Sequence, residues 1–386
     1  MQNFYYSIPT KIYFGRGQIE QLRTISEIGT KALLVYGGGS IKKIGVYQKV
    51  IEILNEIGMK YIELSGVEPN PRIESVRQGV LLCKENNLDV ILAVGGGSVI
   101  DCSKMIAAGA YYEGDAWDLV LDNSKIKKAL PIAVVLTLAA TGSEMDAGAV
   151  ITNFAEKAKL AGAAECTKPT FSILDPVYTM SVSKRMTAAG VADIMSHLFE
   201  NYFTNEKGAF VQARFCESLL KTCIKYGPIA YNEPDNYEAR ANLMWASSLA
   251  INGICQLGQS VGWTVHPIEH ELSAYYDITH GEGLAILTPI WMKYVLSQKT
   301  VDKFAEYGIN VWGISSDNDP FEIATSAISK TALFFKSLGL PETLRDVGIV
   351  EDINFEEMAL HCESRTLLGY VPLTHEDTYN IYQLAK

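Results

Sequence analysis

The N-terminal half of the chain alternates short apolar runs with segments of helical periodicity. Uninterrupted apolar runs occupy residues 32–36, 90–94 and 132–136, and segments such as 74–86 place apolar residues on one helical face. Strands that are apolar throughout, rather than at every second position, are typical of parallel sheets covered by helices on both faces. The pattern therefore predicts an α/β domain.

The pattern changes after Asp175-Pro176, where strand-like runs stop and long helical segments follow. A chain of 386 residues is long for one hydrophobic core, so we expect two domains. We place the boundary near residue 180, between an α/β dinucleotide-binding domain (1–180) and an all-helical metal-binding and catalytic domain (181–386). The predicted C-terminal helices are 188–203, 208–225, 237–255, 262–274, 282–296 and 321–338.

The motif Gly-Gly-Gly-Ser occurs twice, at 37–40 and 95–98, each time directly after a predicted buried strand. Glycines let the backbone approach a pyrophosphate, and the helix that follows supplies free N–H groups and partial positive charge. Two tight strand-to-helix turns without a ligand are the alternative interpretation. Two copies at the carboxyl ends of strands favour a nucleotide, although neither copy is the usual dinucleotide fingerprint or a Walker motif.

The end of the first motif bears on the choice of cofactor. An acidic residue at this place bonds the adenosine ribose of NAD and repels a 2′-phosphate. Here the chain has Ser40, followed by Lys42 and Lys43. A hydroxyl and two ammonium groups suit a phosphate better, which favours NADP over NAD, whereas a solvated lysine pair at a helix start is the alternative.

Five residues of the second half form a candidate metal site. Asp193 and His197 are four residues apart, as are His266 and His270, so each pair shares a helical face. His280 lies 14 residues after His266, roughly 21 Å along a straight helix, so the chain must turn to bring it back. Oxygen and nitrogen ligands suit Fe²⁺ or Zn²⁺ acting as a Lewis acid. Ordinary structural histidines remain the alternative.

Residue 267 is a proline, which separates this stretch from the zinc-protease helix, where glutamate directly follows the first histidine. Proline is tolerated in the first turn of a helix but disrupts the interior. We therefore expect a helix start or a kink at Pro267.

Composition limits the partners. The net charge is −11, and no block rich in lysine and arginine stands out, so we expect neither nucleic acid nor a membrane surface as a partner. The first residues resemble no signal peptide, and the longest apolar stretch (129–140) is too short to span a bilayer. Seven scattered cysteines without a CxxC pair fit a reducing compartment, and we expect a cytoplasmic protein.

These motifs together resemble the iron-containing alcohol dehydrogenases across nearly the whole chain, and within them the butanol dehydrogenase and aldehyde reductase branch. The resemblance implies a Rossmann-like α/β domain followed by an all-α domain, the architecture of dehydroquinate synthase. The matching landmarks are Phe14-Gly-Arg-Gly17, Gly37–Lys43, Pro69-Asn-Pro71, Gly95–Asp101, Tyr112–Asp115, Thr141-Gly-Ser-Glu144, Asp175-Pro176, Asp193-x3-His197 and His266-x3-His270-x9-His280-Gly281.

The resemblance implies roles for individual residues. A single Fe²⁺ or Zn²⁺ would be held by Asp193, His197, His266 and His280, and His270 would lie beside the metal as a catalytic neighbour or proton relay. The implied cofactor contacts are Gly38, Gly39 and Ser40 at the adenosine end, Gly97 and Ser98 at the pyrophosphate, and Asn70, Thr137, Thr141 and Lys159 elsewhere.

The resemblance also implies a reaction. We expect NAD(P)-dependent interconversion of small primary alcohols and aldehydes of the butanol and butanal type, favouring aldehyde reduction with NADPH, by a homodimer. One alternative is a carbon–oxygen lyase that resembles dehydroquinate synthase and uses NAD transiently. Such an enzyme needs basic residues around its metal, yet the nearest candidates share one predicted helix (Lys207, Arg214, Lys221 and Lys225). A non-catalytic metal or nucleotide sensor is the other alternative.

Overall fold

The computed structural model describes every residue from Met1 to Lys386. The chain divides into two compact units. The sheet unit comprises Ser7–Val182 and Pro234–Asn252. The helical unit comprises Met1–Tyr6, Ser183–Glu233 and Gly253–Lys386.

The sheet unit contains a six-stranded parallel sheet with the order β1-β8-β5-β4-β2-β3, and a separate antiparallel pair, β6-β7. Its strands are β1 (Lys11–Phe14), β2 (Lys31–Tyr36), β3 (Lys60–Leu64), β4 (Val90–Gly95), β5 (Ile132–Leu136), β6 (Gly148–Asn153), β7 (Ala158–Ala163) and β8 (Phe171–Leu174). Its helices, numbered along the whole chain, are α1 (Ser40–Lys43), α2 (Val46–Glu56), α3 (Ile73–Asn86), α4 (Gly97–Gly109), α5 (Trp117–Leu121) and α8 (Tyr237–Ile251).

The central strands are buried on both faces, as the uninterrupted apolar runs predict. Successive side chains of a strand point to opposite faces. Leu33 and Ile91 therefore belong to one core, and Leu34 and Leu92 belong to the other, with all four side chains fully buried. Apolar residues at every position are required because both faces of these strands exclude water.

The pairing of β2 with β4 places the two glycine motifs next to each other. The strands are parallel and neighbouring, with Tyr36 opposite Val94 in the register. Each glycine motif continues directly from these paired residues, at the carboxyl edge of the sheet. Ligands of open α/β sheets bind at this edge.

The helical unit contains α6 (Lys184–Tyr202), α7 (Phe210–Asn232), α9 (Val265–Tyr276), α10 (His280–Val295), α11 (Val301–Trp312), α12 (Pro320–Ser337), α13 (Phe355–Thr366) and α14 (His375–Ala385). Helix α10 packs against both α6 and α9. None of the helices is both long and apolar enough to span a membrane.

The local sequence explains how α9 and α10 begin and end. Pro267 lies in the first turn of α9, where its missing N–H costs nothing, so the predicted helix start is confirmed. The predicted turn between His270 and His280 is also present. Asp277 takes the left-handed conformation (φ 52°) after α9, and α10 begins at His280.

Candidate functional site

Three helices of the helical unit bring the predicted metal ligands together. Asp193 and His197 lie one turn apart on α6, His266 lies in the first turn of α9, and His280 begins α10. Asp193, His197 and His266 are buried, and His280 is partly exposed. Residues separated by more than 70 positions in the sequence thus meet at one point.

One carboxylate oxygen lies at the centre of this group. Asp193 Oδ1 is 3.6 Å from Nε2 of His197, 3.8 Å from Nε2 of His266 and 3.7 Å from Nε2 of His280. Ligand atoms of Asp193, His266 and His280 all lie within 4.8 Å of one another. Two atoms that each bind one ion at about 2.1 Å can be at most about 4.2 Å apart, so the three measured distances fit a shared cation.

The buried polar atoms of this group also fit a cation. Asp193 Oδ1 and His266 Nε2 are buried and accept or donate no hydrogen bond within the protein. Leaving such an atom unsatisfied costs about 1–3 kcal/mol, and more for a charged group. One carboxylate oxygen and three imidazole nitrogens form a ligand set suited to Fe²⁺ or Zn²⁺.

The charges of the group perturb its pKa values in different directions. Burial alone would raise the pKa of Asp193, but the adjacent His197, His266 and His280 outweigh it and lower that pKa. Burial lowers the pKa of His197 to about 3, which leaves this imidazole neutral. For His266, burial is outweighed by its contacts with Asp193 and Glu200, and the pKa is raised to about 9.

His270, the predicted catalytic neighbour, lies beside the ligand group. Its ring centroid is 5.4 Å from that of His280 and 6.2 Å from that of His266. Ligand atoms of Glu269, His270 and His280 lie within 4.8 Å of one another. The structure therefore brings the five residues of the predicted metal site into one cluster: Asp193, His197, His266, His270 and His280.

Three further residues of the cluster escaped the sequence analysis. The Trp263 ring packs edge-on against the rings of His197 and His266, at centroid distances of 5.7 and 4.7 Å. The carboxylates of Glu200 and Glu269 contact Nδ1 of His266 and His280, respectively. Their spacing carried a signal, because Glu200 is three residues after His197 and Glu269 is three residues after His266, which are helical-neighbour positions.

The predicted cofactor residues lie in the sheet unit. Gly39 adopts a positive φ of 100° just before α1, a conformation that favours glycine, and Gly38 and Ser40 flank it. Gly97 begins α4 and is followed by Ser98. A Cβ at Gly97 would lie 2.5 Å from Cγ2 of Thr141, so only glycine fits there. The N-terminus of α4 thus lies at a glycine without a side chain to block its backbone N–H groups, an arrangement that suits a phosphate.

The remaining predicted cofactor residues are distributed around this edge. The Thr137 amide donates to the Gly95 carbonyl over 3.0 Å, directly beside the second glycine motif. Asn70 has a positive φ of 50° and is buried. Lys159 is buried on β7, opposite Thr152 in the register, and the Thr152 amide donates to the Pro71 carbonyl over 2.9 Å. The β6-β7 pair is thereby attached to the Asn70 loop.

Lys42, one of the two lysines that favour NADP, lies over an aromatic pair. Its Nζ is 5.1 Å from the Tyr36 ring centroid and 4.6 Å from the Tyr47 ring centroid, an arrangement that attracts a cation. Both hydroxyls donate to Glu63, over 2.6 and 2.8 Å. The hydrogen bond to Glu63 raises the pKa of Tyr47 to about 12. Lys42 remains an exposed residue, and these rings hold its ammonium group in place.

A buried ionic network supports the Thr141 loop behind α4. Lys104 on α4 is fully buried and donates to Ser143 over 2.8 Å and to Asp146 over 2.6 Å. Asp101 accepts from the Ser143 hydroxyl over 2.6 Å, and burial raises its pKa to about 6. Because these groups are paired, the network fixes the loop that packs against Gly97.

Comparison with known proteins gives a consistent result over both units. Residues 9–176 match the model of the family described as iron-containing alcohol dehydrogenase, and residues 187–385 match that of the Fe-containing alcohol dehydrogenase family, C-terminal. The chain is 56% identical to NADH-dependent butanol dehydrogenase A of Clostridium acetobutylicum, over 99% of each chain. It is 41% identical to the NADPH-dependent aldehyde reductase YqhD of Escherichia coli, over 90% of each.

Solved structures give the same picture. The crystal structure of NADH-dependent butanol dehydrogenase A from Thermotoga maritima superimposes with a TM-score of 0.94 at 38% identity, covering 100% of this chain and 99% of that one. A crystal structure of YqhD from E. coli K-12 superimposes equally well, with a TM-score of 0.94 at 38% identity and the same coverage.

Proposed function

The chain belongs to the iron-containing alcohol dehydrogenase family, and we propose that it interconverts small primary alcohols and aldehydes of the butanol and butanal type. Enzymes of this kind use NADH or NADPH together with a divalent metal. The observation that carries the proposal is the convergence of three imidazole nitrogens on the buried, unpartnered Oδ1 of Asp193. The dehydroquinate synthase-like alternative is not favoured, since the comparisons are with dehydrogenases and reductases.

We propose that Asp193, His197, His266 and His280 hold one Fe²⁺ or Zn²⁺. A divalent cation held there would supply Lewis-acid chemistry, stabilising the oxygen of an alcohol or aldehyde substrate. Burial lowers the pKa of His197 to about 3, so this ring is neutral near pH 7 and one of its nitrogens has a lone pair for a metal. Trp263 covers the His197 and His266 rings and shields them from water.

In this proposal His270 holds or transfers the proton that alcohol oxidation releases and aldehyde reduction consumes. Its ring lies 5.4 Å from that of His280, which puts a titratable imidazole beside the proposed metal ligands without requiring it as one of them. Histidine suits this role because its ordinary pKa lies near neutral pH.

The cofactor is proposed to bind at the carboxyl edge of the sheet. Backbone N–H groups at the start of α4 would bind the pyrophosphate, and Asn70, Thr137, Thr141 and Lys159 would make further contacts. A hydroxyl at Ser40 and ammonium groups at Lys42 and Lys43 support a preference for NADPH. The chain is 56% identical to an NADH-dependent enzyme and 41% identical to an NADPH-dependent one. Measuring the reaction rate with NADH and with NADPH therefore decides the cofactor preference.

We also propose a homodimer, a cytoplasmic location, and a boundary near residue 180 between the two family domains, with Pro234–Asn252 returning to the sheet unit. The two family matches end and begin on either side of residue 180. Strand β1 forms an edge of the sheet, and exposed edges are usually covered. All seven cysteines are free thiols, as expected in a reducing compartment. Light scattering on the purified protein tests the dimer.

The experiment that tests the function uses purified protein loaded with Fe²⁺ or Zn²⁺. Butanal is supplied with NADPH or NADH, and butanol with the oxidised cofactors, while the nicotinamide absorbance is followed. We expect stoichiometric oxidation of the reduced cofactor with butanal. No absorbance change with any combination would overturn the proposal.

The ligand assignment has its own test, which does not depend on turnover. We expect His280→Ala to lose bound metal, measured by elemental analysis, because it removes one of the nitrogens near Asp193 Oδ1. Helix α10 should persist in circular dichroism, since His280 is only its first residue. Retained stoichiometric metal in a folded variant would remove His280 from the ligand set.

A further inference from the structure

Two histidines of the metal cluster each direct one nitrogen towards Asp193 and the other towards a buried glutamate. His266 has Nε2 3.8 Å from Asp193 Oδ1 and Nδ1 3.1 Å from Oε1 of Glu200. His280 has Nε2 3.7 Å from the same oxygen, and its Nδ1 contacts Oε2 of Glu269. An ionised carboxylate can only accept a hydrogen bond, so in the neutral ring Nδ1 carries the proton and Nε2 keeps the lone pair that can bind a metal.

The carboxylate of Glu200 is held in place by the start of α9. Its Oε2 accepts from the Thr264 amide over 2.8 Å, and its Oε1 accepts from the His266 amide over 3.0 Å. These are backbone groups at a helix N-terminus, which have no partner within the helix and lie at its positive end. Glu200 therefore belongs to α6 but fixes both the first turn of α9 and the ring of His266.

The carboxylate of Glu269 is held differently. It is fully buried, and its Oε1 accepts from the Ser273 hydroxyl one turn further along α9, over 2.5 Å. Helix α10 comes close at this point, since a Cβ at Gly283 would lie 2.7 Å from Cγ of Glu269. Glu269 on α9 thereby sets the ring orientation of a histidine on the next helix, across the turn at Asp277.

His197 provides an internal contrast. Its Nδ1 is buried and has no hydrogen-bond partner in the protein, so no carboxylate selects which of its nitrogens carries the proton. Two of the three imidazoles near Asp193 are therefore fixed by glutamates, and one is not. A general buried-carboxylate environment would not produce this selective pairing with the Nδ1 atoms of His266 and His280.

We propose that Glu200 and Glu269 are positioning residues that fix the Nδ1–H tautomer of His266 and His280 and strengthen their hold on a divalent metal. The inference rests on the proposed metal site and assigns residues outside its ligand set. A carboxylate behind a histidine ligand orients the ring and raises its basicity, and its removal typically weakens metal binding about 10- to 100-fold.

The test compares Glu269→Gln with a matched control, Glu271→Gln. Glu271 is also a buried glutamate of α9, two residues further on, but its carboxylate pairs with Arg365 over 2.5 Å. Dissociation constants for Zn²⁺ are measured by competition with a chromogenic chelator, and the visible absorption of the Co²⁺-loaded proteins is recorded. We expect about 10- to 100-fold weaker Zn²⁺ binding and an altered Co²⁺ spectrum for Glu269→Gln. Glu271→Gln should resemble the wild type.

The outcomes separate the two proposals. Wild-type protein that binds no Zn²⁺ or Co²⁺ would refute the metal site itself. Wild-type protein that binds both, together with unchanged affinity and spectrum in folded Glu269→Gln, would refute the positioning role alone. If Glu269→Gln fails to fold by circular dichroism, Glu200→Gln carries the same test, because a glutamine oxygen can still accept from the amide at the start of α9. Unchanged Zn²⁺ affinity in that variant would equally overturn the inference.

Discussion

Replacing Gly281 with alanine should disrupt the proposed metal centre without touching any proposed ligand. Gly281 follows His280 at the start of α10, where this helix packs against the backbone of α6. A Cβ at this position would lie 2.6 Å from the carbonyl carbon of Ala189 and closer still to its oxygen. Because the obstacle is backbone, no side-chain rotation can relieve it.

The magnitude follows from that distance. The Ala189 oxygen is the nearest atom, at 2.1 Å, and a carbon–oxygen contact needs roughly 3.3 Å, so α10 must move away from α6 by about 1.2 Å at this point. Overpacking of this kind typically costs about 1–3 kcal/mol of stability. The same movement separates His280 from Asp193, whose Nε2 and Oδ1 atoms are 3.7 Å apart. A misplacement of about 1 Å can cost about 100-fold in a positioned site, so we expect at least tenfold weaker metal binding.

The assay is a chelator competition for Zn²⁺, combined with thermal unfolding of the metal-free protein. Gly227→Ala is the matched control, since Gly227 on α7 also faces α6 but its Cβ would meet only side chains, at 3.2 Å from Val191 and 3.4 Å from Phe334. That control should retain wild-type metal affinity. Gly281→Ala protein with wild-type Zn²⁺ affinity and wild-type unfolding temperature would refute the reasoning.

Two further predictions concern the sheet unit. Gly97→Ala should weaken NADPH and NADH binding about tenfold or more in a fluorescence titration, because its Cβ would collide with Thr141 and distort the start of α4. Unchanged affinity would contradict a cofactor role for this loop. Burial raises the pKa of Glu144 from 4.5 to about 7, so the folded protein keeps a proton that the unfolded chain releases, and wild-type stability falls as pH rises through this window. The glutamine in Glu144→Gln does not titrate. The unfolding free energy of this variant, relative to that of the wild type, should therefore rise between pH 4.5 and 7 by up to the order of 3 kcal/mol in denaturant unfolding. A difference that does not change with pH would exclude this linkage.

The sheet could be predicted from sequence because its strands are apolar at every position. Leu33 and Leu34 are both fully buried, and a short apolar run that ends in a glycine motif favours a strand covered on both faces. The location of α8 could not be predicted in the same way. The sequence predicts a helix at 237–255, but a predicted helix does not reveal whether it packs with the sheet or with other helices.

The ligand candidates were accessible for a different reason. Asp193 with His197, and His266 with His270, share helical faces, and that spacing is visible in the sequence. The partners of the glutamates behind the histidines were not accessible. The spacing of Glu200 from His197 indicates a shared face of α6, but it does not reveal that Glu200 contacts His266 on α9. Only folding shows which of the chain's many glutamates are buried beside an imidazole.

The division of the chain has a consequence for protein engineering. The backbone passes between the two units four times, at Tyr6–Ser7, Val182–Ser183, Glu233–Pro234 and Asn252–Gly253. A fragment ending near residue 180 would lack α8, whose Ser248 hydroxyl bonds the buried Glu144 and whose Ser247 backbone packs against Gly142. Chimeras that combine the cofactor preference of one relative with the substrate range of another should therefore exchange Pro234–Asn252 together with the N-terminal half, rather than join two halves at a single junction.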